Sequence, residues 1–221
     1  LSLDAVITHV LDAGGSVRLI GDDQQLAAIG AGGVLRDIQA THGALHLTEL
    51  VRFTDPAEGS ASLALREGRA EALGFYLDRD RVRVGTPDTM LDAVFTNWAA
   101  DRERGRDSVM LAPTRDLVSQ LNQRARSHRL DGTAPAAEIA LADGNHASPG
   151  DVVITRRNDR RLRLNATDWV KNGDRWTIQT IASDGVRVRH TQTGRHITLP
   201  TDYVTEWVEL GYATTIHTAQ G

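Results

Sequence analysis

The chain closes on Tyr212-Ala-Thr-Thr-Ile-His-Thr-Ala-Gln-Gly221, and its fold turns on what this stretch is. A C-terminal tail is usually polar and frayed. Here a β-branched run, Thr214-Thr215-Ile216, leads into small, hydroxylated and amide residues and then a glycine. That pattern predicts a strand turning into a helix. Residues 206–221 are therefore expected to return to an α/β layer laid down earlier in the chain.

Working outward, residues 136–205 carry short strand-like runs at 151–155, 175–181, 185–190 and 195–199. Asn172-Gly173, Asp184-Gly185 and Thr193-Gly194 stand between them as hairpin signals. Short strands with tight turns at this spacing predict a small antiparallel barrel, which the returning segment makes an insertion. Residues 56–135 read as helix-rich α/β. Helices are expected over 60–67 and 69–77, a strand over 81–84, and a helix capped at Thr86 and running to about Arg104. A strand over 108–112 then leads into a helix over 116–128. Residues 1–55 begin with a helix that Gly14-Gly15 ends, followed by a short buried strand at 16–21 and another at 44–50. The fold class expected is α/β, with parallel-sheet elements and an inserted small antiparallel β-barrel.

Composition narrows the function without choosing it. The 221 residues include no cysteine, which excludes disulfides and thiolate metal sites. No apolar run is long enough to span a membrane, and no secretion leader is evident, so a cytoplasmic location is the expectation. The net charge of −4 argues against a uniformly basic nucleic-acid coat but leaves room for a basic groove. Lys171 is the only lysine among the basic residues. GC-rich codon usage explains that, and so would phosphate recognition by guanidinium forks; composition does not decide.

Several segments carry candidate chemistry. In Gly21-Asp-Asp-Gln-Gln25 a buried strand would deliver Asp22 and Gln25 to the carboxyl edge of a parallel sheet, where ligands bind. A glutamine there suits a sensor of a nucleotide's terminal phosphate; an ordinary acidic loop rim is the equal alternative. Arg52 follows a strand and is either a surface charge or an arginine finger. Thr114 and Arg115 open a helix, placed for phosphate or simply for capping. Arg156, Arg157, Arg160, Arg161 and Arg163 crowd one loop. They read as solvated charge or, with Trp169 and Trp176 nearby, as a single-strand surface; the two tryptophans are read as barrel core ahead of stacking platforms. Thr214, Thr215, His217 and Gln220 could hydrogen-bond a phosphate backbone. No second ligand stands at metal-binding distance from His217 in sequence, so no metal site is expected.

In this order, the motifs resemble the second half of a superfamily-one DNA helicase of the RecD/TraA type, over nearly the whole chain. Gly21–Leu26 resembles the family's third motif, residues 47–52 the fourth, residues 112–122 the start of the second RecA-like domain, Gly150-Asp-Val-Val and Val170-Lys-Asn-Gly-Asp the inserted barrel of the Src-homology-3 kind, and residues 212–221 the fifth motif. The resemblance implies catalytic roles for Gln25 and Arg52 at the γ-phosphate, with Gly21 and Asp22 on the nucleotide side. It implies DNA contacts from Thr114, Arg115, Asn122, Arg156, Arg157, Arg160, Thr215, His217 and Gln220. Residues 1–55 would end a first RecA-like domain, 56–135 begin the second, 136–205 form the barrel and 206–221 return to the second domain. Phe53 stands where many relatives have Gln, and Thr218 where many have Lys or Arg.

The phosphate-cradling pattern G-x-x-x-x-G-K-[ST] is not in the sequence, nor is an Asp-Glu pair for Mg²⁺. The resemblance therefore implies a piece of a longer ATP-dependent helicase, translocating 5′ to 3′, akin to the helicase half of actinobacterial conjugative relaxases. ATP and Mg²⁺ would be used by the parent, with none bound to this piece, which is expected to be inactive alone. Expected partners are single-stranded DNA, the rest of the polypeptide and the conjugation or recombination machinery. The rivals are a non-catalytic nucleic-acid-binding module and a RecD-type exonuclease subunit.

Overall fold

The computed structural model describes residues 2–22, 34–47 and 49–219, and the chain forms two compact units, Leu1–Arg81 and Val82–Gly221. The two helices after residue 55 group with the N-terminal unit.

In that first unit, α1 (Leu3–Asp12) starts at Ser2, whose side chain accepts a hydrogen bond from the Ala5 amide at 3.2 Å. α2 spans Val34–His42. α3 (Pro56–Arg66) has Asp55 as its cap, accepting from Ala57 N at 2.9 Å, with Pro56 in the first turn. Its small residues Gly59, Ala61 and Ala64 are buried, and α3 packs on α4 (Ala72–Leu77). The strands expected at 16–21, 44–50 and 81–84 do not form among the described residues. Ile20 is 90% exposed and Leu47 99%. A β-branched run records a preference for a sheet, but a strand exists only where a neighbour supplies the ladder, and none of the described residues does so.

The second unit begins with α5 (Pro87–Glu103), capped as expected by Thr86 and burying Phe95 and Trp98. β1 (Met110–Ala112) follows, then α6 (Arg115–Leu130), whose buried Val118, Leu121, Asn122 and Ala125 recur at helical spacing. α6 stops at Asp131, which adopts the left-handed conformation at φ +46.

The inserted β region then runs β2 (Ile139–Ala140), β3 (His146–Ala147), β4 (Val152–Thr155), β5 (Asp159–Arg163), β6 (Trp169–Val170), β7 (Arg175–Ala182), β8 (Gly185–His190) and β9 (His196–Leu199). Next come α7 (Thr201–Trp207), β10 (Val208–Leu210), β11 (Ala213–Thr215) and the short α8 (Ile216–Ala219). The main sheet has the order β10-β4-β7-β8-β9, all antiparallel, and encloses a core centred on Trp176, Val153, Val188, Leu199 and Val208. β2 pairs with β3 and β5 with β6 in separate two-stranded ribbons. The Asp184-Gly185 and Thr193-Gly194 signals do turn paired strands. Asn172-Gly173 does not, because the strands it joins pair elsewhere, β6 with β5 and β7 with β4.

β11 pairs in parallel with β1, Met110 facing Ala213 and Ala112 facing Thr215. Strands about a hundred residues apart in sequence thus share one layer, with the antiparallel region inserted between them. Residues 208–210, expected in that layer, instead form the edge strand β10 of the inserted sheet. The change from one sheet to the other happens at Gly211. Its amide donates to Val152 O at 2.8 Å, and a Cβ placed on it would sit 2.7 Å from the Val153 carbonyl carbon and 2.9 Å from its oxygen. Backbone cannot yield as a flexible side chain does, so only glycine fits this crossing.

Gly211→Ala is expected to lower the stability of the second unit by about 1–3 kcal/mol. Urea denaturation followed by tryptophan fluorescence reads this directly, since all four tryptophans lie in that unit. An unchanged midpoint would contradict it.

Candidate nucleic-acid interface

A cleft of about 810 Å³ opens in the second unit where the first turns of α6, the β11–α8 junction and one edge of the inserted sheet converge. It is lined, among others, by Arg115, Asn122, Arg156, Thr215, His217 and Thr218. Five residues singled out from the sequence as DNA contacts, Arg115, Asn122, Arg156, Thr215 and His217, are therefore brought together from three segments: α6, the end of β4 and the β11–α8 junction.

Each is positioned by a local cause. Thr114 caps α6, its hydroxyl accepting from Leu117 N at 3.3 Å; its oxygen is thereby committed to the helix, and Thr114 is not among the residues lining the cleft. Arg115, one residue on, is exposed and has no ion-pair partner among the described residues. Thr215 ends β11 and caps α8. Its Oγ1 accepts from Thr218 N at 3.3 Å and lies 2.9 Å from Thr218 Oγ1. His217 projects from α8, exposed. Thr214, the neighbour of Thr215, is buried instead. Arg156 leaves the end of β4 and its Nε donates to Glu209 at 2.6 Å. Asp116, Asp143 and Glu209 also line the cleft, so it is mixed in charge rather than uniformly basic.

Asn122 plays a different part from the one expected. It is 3% exposed, and its side-chain amide donates to the carbonyls of Leu210 (3.2 Å) and Ala213 (3.3 Å) while accepting from Ala213 N (2.8 Å). Its amide is occupied in holding the returning chain, which corrects its assignment as a DNA contact. Arg175 supports the same crossing, donating to Gly211 O at 3.2 Å and pairing with Asp107 at 3.2 Å.

Deeper in lies a cluster that sequence reasoning missed. The Asp151 side chain is fully buried. It accepts from Arg126 Nε (3.2 Å), Arg129 Nε (2.7 Å), the Ser148 amide (2.7 Å) and hydroxyl (3.0 Å), and the Tyr212 hydroxyl (2.5 Å). Burial by itself pushes the Asp151 carboxyl up, but the hydrogen bonds from Arg129, Tyr212 and Ser148 outweigh it and hold the group below its ordinary value. Burial, reinforced by the neighbouring carboxylate, pushes the Tyr212 hydroxyl up. Arg126 and Arg129 stand one helical turn apart on α6, a spacing visible in the sequence; that both face one buried acid is not.

The arginine-rich loop divides. Arg156 reaches the cleft. Arg157 lies with its guanidinium carbon 4.8 Å from the Trp207 ring centre, and Arg160 likewise 4.8 Å from Trp169. Neither of these two lines the cleft. Trp176 is core, as expected, with no exposure; Trp169 is only half-buried.

Of the nucleotide-side residues in the first unit, Asp22 pairs with Arg66 at 3.2 Å. A Cβ on Gly21 would meet the Leu35 side chain. Arg52 is exposed. Gln25 and Gln220 lie outside the described residues.

Residues 1–87 match the family described as AAA domain, and residues 139–209 the one described as Rv2311 SH3-like barrel domain. A probable conjugal transfer protein TraA of Sinorhizobium fredii is 29% identical over 219 residues, 95% of this chain and 19% of that protein. A conjugal transfer protein TraA of Agrobacterium fabrum is 29% identical over 225 residues, 97% of this chain and 20% of that one. The chain thus spans about a fifth of these relatives' length. Among solved structures, Bacteroides Pif1 bound to ssDNA superposes with a TM-score of 0.51 at 15% identity, over 80% of this chain and 43% of that one. A structure of two coordinating Pif1 helicases at forked dsDNA gives 0.50 at 16% identity, over 78% and 40%. At these identities the structures speak to the fold. The resemblance to a TraA/RecD-type superfamily-one helicase fragment is borne out, as is the α/β architecture with RecA-like elements and an SH3-like insertion.

Asp151→Asn is expected to destabilise the second unit by about 3–5 kcal/mol near neutral pH, because it leaves two arginines facing a buried neutral group. A carboxyl depressed by folding stabilises fully above its unfolded value, near pH 4, and loses that contribution as pH falls through the folded one. The stability difference between the native chain and Asp151→Asn should therefore narrow below about pH 4. Denaturation curves at a series of pH values check this; a gap constant down to the acid limit would contradict it.

Proposed function

We propose that this chain is a piece of an ATP-dependent DNA helicase acting in conjugative DNA processing, and that its cleft holds the backbone of single-stranded DNA. The observation that carries the proposal is the convergence of Arg115, Arg156, Thr215 and His217 on one cleft at the start of a sixteen-residue helix. A helix N-terminus favours anions, and Arg115 and His217 add donors from two sides. Asp116, Asp143 and Glu209 temper that attraction. Moderate, evenly spread contacts suit a strand that must slide; a deep cationic trap would not.

The nucleotide side is proposed on resemblance. Gln25 and Arg52, with Gly21 and Asp22, would face the γ-phosphate of ATP and its Mg²⁺ in the longer polypeptide. Among the described residues Asp22 is paired with Arg66, and the sequence has no phosphate-cradling loop. Hydrolysis by this chain alone is not expected. Translocation from 5′ to 3′ and a cytoplasmic place of action belong to the same proposal. Among the described residues no helix is long and apolar enough to cross a membrane.

Fluorescence anisotropy with a labelled oligothymidylate tests the cleft. Arg115→Ala with His217→Ala should weaken binding about tenfold and reduce the slope of log K against log salt by about 0.7 for each phosphate no longer neutralised. Arg104→Ala, at the far end of α5, should leave both unchanged. Equal losses from Arg104→Ala and from the cleft variants would show non-specific attraction and sink the assignment.

A further inference from the structure

Three carboxylates line the cleft beside its cations, and they are not equivalent. Asp143 is occupied by backbone: its Oδ1 accepts from Asn145 N at 3.1 Å and its Oδ2 from Leu210 N at 3.3 Å. Asp116 stands in the first turn of α6, where the helix end favours an acid, and it pairs with no cation among the described residues. Glu209 clasps a guanidinium, accepting from Arg156 Nε at 2.6 Å. The two arginines of the cleft differ in the same way. Arg115 is exposed and has no ion-pair partner among the described residues, whereas Arg156 already holds a carboxylate.

The Arg156–Glu209 pair is built into the sheet. Glu209 faces Ile154 across the β10–β4 ladder, and Arg156 follows Ile154 by two residues, with its amide donating to Trp207 O at 2.7 Å. Backbone bonds therefore fix both residues, and diagonal neighbours across a ladder lie within reach of long side chains. The two side chains are 20% and 33% exposed, so the pair is open to the cleft on one side. A carboxylate and a phosphate present similar paired oxygens to a guanidinium. Glu209 thus occupies on Arg156 the place that a phosphate of a bound strand would take.

We infer that Glu209 is a positioning residue for the strand site: it holds Arg156 against β10 when no strand is bound, and it gives Arg156 up to a phosphate when one is. This rests on the cleft being the strand site. Exchanging one anion for another on the same guanidinium leaves Arg156 paired in both states, so a phosphate can depart without stranding a half-buried cation. The carboxylate therefore lowers affinity and speeds release through Arg156 itself. Asp116 and Asp143, which hold no guanidinium, act on the strand only by repulsion through the cleft.

A double-mutant cycle on the full chain tests the exchange, read by equilibrium and stopped-flow anisotropy with a labelled oligothymidylate. Glu209→Gln should bind about tenfold more tightly than the native chain, mostly through slower dissociation. Arg156→Ala should weaken binding. Adding Glu209→Gln to it should then gain no more than about twofold, the effect of one charge removed from a cleft screened by salt. Asp116→Asn takes the same charge from the cleft without touching Arg156, and should gain about twofold whether Arg156 is present or absent. A tenfold gain from Glu209→Gln that persists in the Arg156→Ala background, or an equal gain from Asp116→Asn, would reduce Glu209 to general repulsion and overturn the exchange. So would a Glu209→Gln chain with a lower urea midpoint and unchanged affinity, which would make the pair a brace for the sheet edge. A native chain that binds no oligothymidylate would overturn the cleft as the strand site, and the exchange with it.

Discussion

A carboxylate sealed from water between two arginines and a tyrosine sets the arrangement of the second unit. Asp151 belongs to the inserted β region, Arg126 and Arg129 to α6, and Tyr212 to the segment that carries the chain back to β11. Burying a charge costs several kcal/mol unless partners replace its hydration. Here five donors do so, and all must be present together. The cost of leaving any of them unmade ties three parts of the chain to one geometry.

The cleft inherits its precision from that constraint. Thr215 and His217 follow Tyr212 within five residues, and the intervening backbone is gripped by Asn122, by Arg175 and by the close crossing at Gly211. β11 then locks against β1 in parallel. Side chains that line the cleft are mostly polar, while most of the groups that aim them are buried behind it. Arrangements of this kind hold first contacts on rigid elements rather than on loops.

Much of this was legible in the sequence wherever the cause was local. Thr86 and Thr114 announce the starts of α5 and α6, Asp184-Gly185 announces a hairpin, and the β-branched run before Gly221 announces the returning strand. Interactions between distant residues were hidden. Asn122 is expected as a DNA contact and proves to be an internal clamp across about ninety positions. Gly150-Asp-Val-Val carries a family resemblance, but nothing local reveals that Asp151 meets Arg129 and Tyr212. The strand preferences at 16–21 and 44–50 failed in the opposite way, since propensity was present and no ladder partner stands among the described residues. Arg157 and Arg160 share a run with Arg156, yet only the fold places Arg156 in the cleft and the other two against Trp207 and Trp169.

A strand held in the cleft would lie along α6's first turn and the β11–α8 junction. Hydrogen–deuterium exchange of the full chain, with and without a saturating oligothymidylate, measures this most directly. Slowed exchange concentrated in residues 115–119, 142–143, 172–173 and 215–218 is the predicted result. Tight binding with protection confined to other segments, and none at residues 115–119 or 215–218, would contradict it.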